Sequence, residues 1–234
     1  MSVINKVLDS LKRKLVAIKH KKRKVINFQE YGILINLKKK ISEIDKSIPL
    51  GTSSWENNRR AIRKQILEEN VADFLNWEVI QKTMFFEAPR VEYEEVQKNE
   101  LIIKSIKESK IGNPKPYYLN TSTSGNLVHH AYSLNQFLKE SNLVGIEKVV
   151  EFGGGYGSMC RLFRNIGYEN EYLIFDLPEF SALQEFFLNS INTEYTQNTV
   201  LTGDMYKLNG DKKTLFIATW SLSEMPLELR EELL

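Results

Sequence analysis

An acid followed by alternating glycines, Glu151-Phe152-Gly153-Gly154-Gly155-Tyr156-Gly157-Ser158, is the segment of this 234-residue chain best suited to hold a ligand. Glycines at 153, 155 and 157 give a backbone that can take positive φ and come close to a bound group. The apolar pair Val149-Val150 before it suits a buried parallel strand, and Met159 to Arg164 after it suits a helix. The loop therefore opens onto a helix N-terminus, whose N–H groups attract carboxylates and phosphates.

Three further strand ends carry polar residues. Tyr172-Leu173-Ile174-Phe175 runs into Asp176-Leu177-Pro178-Glu179, and an acid there can accept from both hydroxyls of a ribose. Pro178 fits the first turn of a following helix whose stripe is Phe180, Leu183, Phe186, Phe187 and Leu188. Thr199 to Thr202 reads as a third strand, closing on Gly203-Asp204-Met205. Thr214 to Trp220 reads as a fourth, delivering Ser221-Leu222-Ser223-Glu224-Met225-Pro226. In open α/β sheets ligands bind outside the carboxyl ends of strands, so these four ends should share one edge. Ser158 stands where a dinucleotide fingerprint would have its third glycine. A tight turn with no ligand, and a strand-ending turn at Gly203-Asp204, are the plainer readings of two of these segments.

The form E-x-G-G-G-x-G resembles motif I of the class I S-adenosylmethionine (SAM) methyltransferases. The set E-F-G-G-G-Y-G, F-D-L-P-E and W-S-L-S-E-M is similar, in order and separation, to the sugar O-methyltransferase family within that class. Asn126-Leu127-Val128-His129-His130-Ala131-Tyr132 is more loosely similar to a helix preceding its first strand. The resemblance covers residues from about 112 onward. It implies a Rossmann-like sheet of the class I SAM methyltransferase type, SAM as cofactor and a sugar or glycan acceptor. The implied cofactor contacts are Glu151 near the SAM amino group, the 153–157 loop beside its methionine portion, Asp176 at the ribose and Asp204 at the adenine, with Leu177, Met205, Trp220 and Ser221 as further cofactor-binding residues. Tyr156 and Trp220 could offer flat faces to a sugar or adenine, or be buried. A seven-stranded sheet is the family's pattern, and the chain stops at Leu234 after the fourth strand, so a sheet incomplete at its C-terminus is expected.

Methyl transfer to a sugar hydroxyl gains from a positioned base, for which Glu224, His129 and His130 are the candidates. Neighbouring histidines on one helix cannot both face one pocket. An NAD-dependent sugar oxidoreductase or epimerase shares the first two motifs, and an inactive truncated paralogue serving as a binding module is a non-enzymatic alternative.

The elements that position these groups divide the chain at about 110/111, a helical basic region preceding the partial SAM-binding domain. Ile111 to Tyr118, with Pro114 and Pro116, connects the two, and Thr121 to Gly125 can cap a helix starting near Asn126. Residues 56 to 86 read as continuing helix. Ile4, Leu8, Leu11, Leu15 and Ile18 alternate spacings of four and three, which makes 3–20 an amphipathic helix ending in Lys19-His20-Lys21-Lys22-Arg23-Lys24.

The net charge is only +2, yet residues 1–60 hold 15 Lys and Arg against 5 Asp and Glu. That basic helix can pack on its own domain, lie on an anionic membrane or draw in a nucleotide sugar. Phe28 and Tyr31 are too few for a nucleic-acid stacking platform. The single cysteine, Cys160, suits core packing, and the three histidines give no metal-ligand spacing. With no apolar run of membrane-spanning length and no signal core, a cytoplasmic location is expected. Oligomeric state is left open by the sequence.

Overall fold

The computed structural model describes residues 3–19, 28–47, 54–204, 207 and 213–224. It comprises two compact units, Met1–Asn142 and Leu143–Leu234.

The first unit is helical: α1 (Val3–Lys19), α2 (Phe28–Ser47), α3 (Ser54–Glu68), α4 (Glu78–Thr83), α5 (Arg90–Val96), α6 (Glu100–Ser105) and α7 (Gly125–Glu140). Leu37, Ile41, Ile62, Ile66, Phe74, Ile80, Val96 and Ile102 are buried in it. The helix expected over 56–86 is broken. Asn70 accepts from the Ala72 N–H at 3.1 Å and starts a separate 3-10 turn, Val71–Asn76, while Trp77 is extended. An Asn side chain competes with the helix for backbone donors, which is why the break falls there.

Helix α7 begins as expected, with the Ser124 hydroxyl accepting from the Leu127 N–H at 3.1 Å. The expected division at 110/111 lies elsewhere in the structure: residues 111–142 group with the helices before them. Tyr117 and Tyr118 are buried there, and the Tyr117 hydroxyl donates to the Ala88 carbonyl at 3.0 Å. Asn99 donates to Asn135 at 2.9 Å, which ties α7 to the α5–α6 segment.

The second unit is an α/β layer. Strands β1 (Lys148–Phe152), β2 (Glu171–Phe175), β3 (Thr199–Thr202) and β4 (Thr214–Ile217) form an all-parallel sheet in the order β3-β2-β1-β4, with α8 (Ser158–Asn165) and α9 (Pro178–Ile191) as connections. This arrangement is compatible with a Rossmann-like fold. Every residue of β1 is buried, as a central parallel strand requires. Met159, Cys160, Leu162 and Phe163 of α8 and Phe180, Leu183, Phe186, Phe187 and Leu188 of α9 are buried as well. Burial pushes the Cys160 thiol up to about 12, so it packs as an apolar group.

Strand β4 stops at Ile217, three residues before the expected end at Trp220. Trp220 has φ +69, a left-handed conformation that no strand accommodates, and Ser221–Glu224 continue as a 3-10 turn. The helix expected over 227–234 lies outside the described residues.

Candidate functional site at the carboxyl edge of the sheet

Register decides which residues meet at the edge. Phe152 pairs with Phe175, Phe175 with Thr202, and Glu151 with Ile217. The residues that follow Phe152, Phe175 and Thr202, namely Gly153, Asp176 and Gly203, therefore form one row, while Ala218, next after Ile217, is level with Phe152. Chain order reverses between β1 and β4, and the crevice of an open parallel sheet lies outside such a reversal.

The glycine loop takes the conformation its sequence allows. Gly153, Gly155 and Gly157 have φ of +72, +58 and +91. Gly153 and Gly154 are also required by the protein's own packing. A Cβ on Gly153 would collide with Ser221, and one on Gly154 would collide with Ile174 and lie 3.2 Å from the Glu151 carboxyl. Gly157 has ordinary space around it, so its requirement is conformational, as the left-handed residue preceding α8.

Asp176 ties three elements together. One carboxylate oxygen accepts from the Gly155 N–H at 3.1 Å and from Gln184 Nε2 at 2.8 Å, and the other accepts from the Leu177 N–H at 2.8 Å. Gln184, fully buried on α9, donates also to the Gly155 carbonyl at 3.0 Å, so one amide clamps both the loop and the acid. Burial pushes the Asp176 carboxyl up to about 7, against these hydrogen bonds. Of roughly four acceptor positions on a carboxylate, three are used within the protein. Among the described residues this leaves one acceptor position on Asp176, where bonds from two ribose hydroxyls were expected.

Glu151 lies deeper than expected. It is 2% exposed, beneath Gly154, and accepts from the Tyr172 hydroxyl at 2.8 Å. Burial pushes its carboxyl up to about 8, with the Asp176 charge adding to the rise. A protonated acid beneath the loop is a structural support before it is a ligand contact. Tyr156 is likewise buried, edge-on to Phe187 with ring centroids 5.0 Å apart, and offers no open face.

On the far side of β1, the Ser221 hydroxyl donates to the Phe152 carbonyl, which lays the 220–223 turn against the glycine loop. Trp220 is 54% exposed. Gly203 and Asp204 are exposed at the end of β3, with the Asp204 N–H donating to Thr202 Oγ1 at 3.0 Å. Met205 and the Glu224 side chain lie outside the described residues. The edge thus brings together the loop, Asp176, Leu177, Asp204, Trp220 and Ser221.

His129 and His130 belong to the first unit. His129 Nδ1 lies 2.9 Å from Glu92 Oε2, and its ring packs on Phe86 with centroids 4.3 Å apart. The Glu92 carboxyl at that distance orients the imidazole ring. His130 is different: burial pushes its imidazole down to about 3, with His129 contributing, and its buried Nδ1 lacks a hydrogen bond.

The sequence reading missed Gln184, Tyr172 and Glu92. Gln184 had a signal: a lone amide on the otherwise apolar face of α9.

Comparison with protein-family models, curated proteins and solved structures returned no match.

Two stability tests follow from the packing. Gly153→Ala should cost about 2–5 kcal/mol in urea unfolding, left-handed strain plus overpacking. Gly167→Ala, at φ +90 with nothing within 4 Å of a Cβ, should cost only the strain, about 1–2 kcal/mol. Equal losses would contradict the close approach of Ser221.

The buried acids set a pH dependence. Glu151 holds its proton in the fold up to about 8, whereas its unfolded counterpart gives it up near 4.5, so stability falls as pH rises through that window. Glu151→Gln should keep the fold and reduce the fall in urea midpoint between about pH 5 and pH 8. A variant as pH-sensitive as the parent would remove Glu151 as a source.

Proposed function

We propose that the second unit binds SAM across the carboxyl ends of its parallel strands and that the chain is a SAM-dependent O-methyltransferase acting on a sugar hydroxyl. The observation that carries this reading is the row formed by register, which sets a three-fold positive-φ glycine loop beside an acid ending the next strand. Ser158 in place of a third fingerprint glycine favours SAM over a dinucleotide.

The residues present fit a ribose-bearing cofactor. Asp176 keeps an acceptor position for one ribose hydroxyl, and a second hydroxyl would take the place of Gly155 or Gln184. Asp204, on the neighbouring strand end, would accept from the adenine amino group, a role that the family resemblance implies. SAM, when bound, supplies an electrophilic methyl on a sulfonium centre; the protein's part is to align the acceptor oxygen and take its proton.

Among the base candidates, Glu224 ends the Ser221–Glu224 turn that follows β4 in the same unit as the glycine loop and Asp176, and it is the assignment proposed. His130, held neutral with its pKa near 3, is a poor acceptor at neutral pH. The sugar as acceptor rests on the family resemblance alone.

Calorimetric titration with SAM and with NAD tests the reading. Binding of SAM and not NAD is expected, with Asp176→Ala weakening it by about 10–100-fold, the worth of a hydrogen bond to a charged group. NAD binding alone, or an Asp176 variant with full SAM affinity, would overturn it. Glu224→Gln should lower methyl transfer by about 100-fold or more while leaving SAM affinity unchanged. Equal loss of both would reject the base assignment.

A further inference from the structure

The amphipathic helix α1 is docked the opposite way round from its hydrophobic pattern. Asp9, 6% exposed, pairs with Arg90, whose Nε lies 3.1 Å from Asp9 Oδ2. The Tyr118 hydroxyl also donates to Asp9, at 3.4 Å. Arg13 lies over the Tyr118 ring, 4.3 Å from its centroid, and pairs with Glu87 at 3.5 Å. This polar edge holds the helix to the rest of the first unit. Leu8, Leu11 and Leu15 are 48%, 53% and 60% exposed.

At about 100° per residue the three leucines occupy one arc of roughly 60°, while Asp9 and Arg13 lie roughly 130° and 170° from its centre. Lys12 and Lys14, both exposed, fall on either side of the stripe, each roughly 60–90° away. An apolar strip edged by cations on both sides matches an anionic bilayer surface: leucines enter the acyl boundary, and lysines reach back to the headgroups. A second copy fits poorly. Pairing two such stripes sets Lys12 and Lys14 against their counterparts, with like charges on both flanks.

We propose that α1 is an interfacial anchor, which seats the protein on anionic lipid through Leu8, Leu11 and Leu15 flanked by Lys12 and Lys14. It lies in the surface and does not span it: among the described residues no helix is long and apolar enough to cross a membrane. The excess of basic residues over positions 1–60 acts in the same direction, since a planar anionic surface can attract many of them at once. This inference is independent of the cofactor assignment.

Co-sedimentation of the chain with vesicles of phosphatidylcholine alone, or of phosphatidylcholine mixed with phosphatidylglycerol, tests it. Binding is expected to the anionic vesicles, weakened by high salt and not matched by the neutral ones. Leu8→Gln/Leu11→Gln/Leu15→Gln should abolish it with thermal unfolding little changed, because about half or more of each side chain is exposed. Lys12→Gln/Lys14→Gln should weaken it about fivefold per lysine. Failure to bind anionic vesicles, undiminished binding by both variants, or a leucine-dependent dimer or protein complex that forms without lipid would overturn the proposal.

Discussion

The carboxylate of Asp176 is the constraint on which the candidate site depends. It stands at the end of β2, accepts from the glycine loop that follows β1, and is held by an amide from α9. Three elements distant in sequence are fixed by one side chain. The loop's left-handed glycines leave the Gly155 N–H pointing toward the acid, and Gln184 holds the Gly155 carbonyl. Parallel register then brings Asp204 and the 220–223 turn to the same edge without any further device.

Low dielectric accounts for the other half of the design. Glu151 and Asp176 are both raised by burial, and the charge on one opposes ionisation of the other. Tyr172 gives Glu151 a partner in the sheet interior. An unpaired carboxylate there would be costly, whereas a protonated one bonded to a phenol supports the loop from beneath. The edge combines a rigid floor with exposed groups above it, the division expected where a ligand must be oriented.

Much of this was legible in the sequence, for definite reasons. Apolar runs that end in an acid mark buried parallel strands, and Pro178 and Ser124 mark helix starts by local chemistry. The alternate glycines signalled positive φ, and all three have it. What was not legible depended on tertiary contacts. Tyr156 and Glu151 are buried because of what α9 and β2 place around them. Trp220 extends a β-rich string, but the seating of Ser221 on Phe152 goes with a left-handed Trp220. Helix α1 is the clearest case: periodicity identified its apolar face, yet the Asp9–Arg90 ion pair, not the leucines, decides which side docks. Residues 111–142 were assigned by their motifs, whereas their aromatic burial places them with the helices before them.

The central claim is that a SAM-type nucleoside lodges on the row formed by Gly153, Asp176 and Gly203. Hydrogen–deuterium exchange with and without SAM addresses it most directly, because it reports where as well as whether binding occurs. Slower exchange confined to peptides covering 151–160, 174–180 and 202–204 is the result expected. Saturating SAM with exchange unchanged across all three segments, or protection located only outside the sheet edge, would contradict the account.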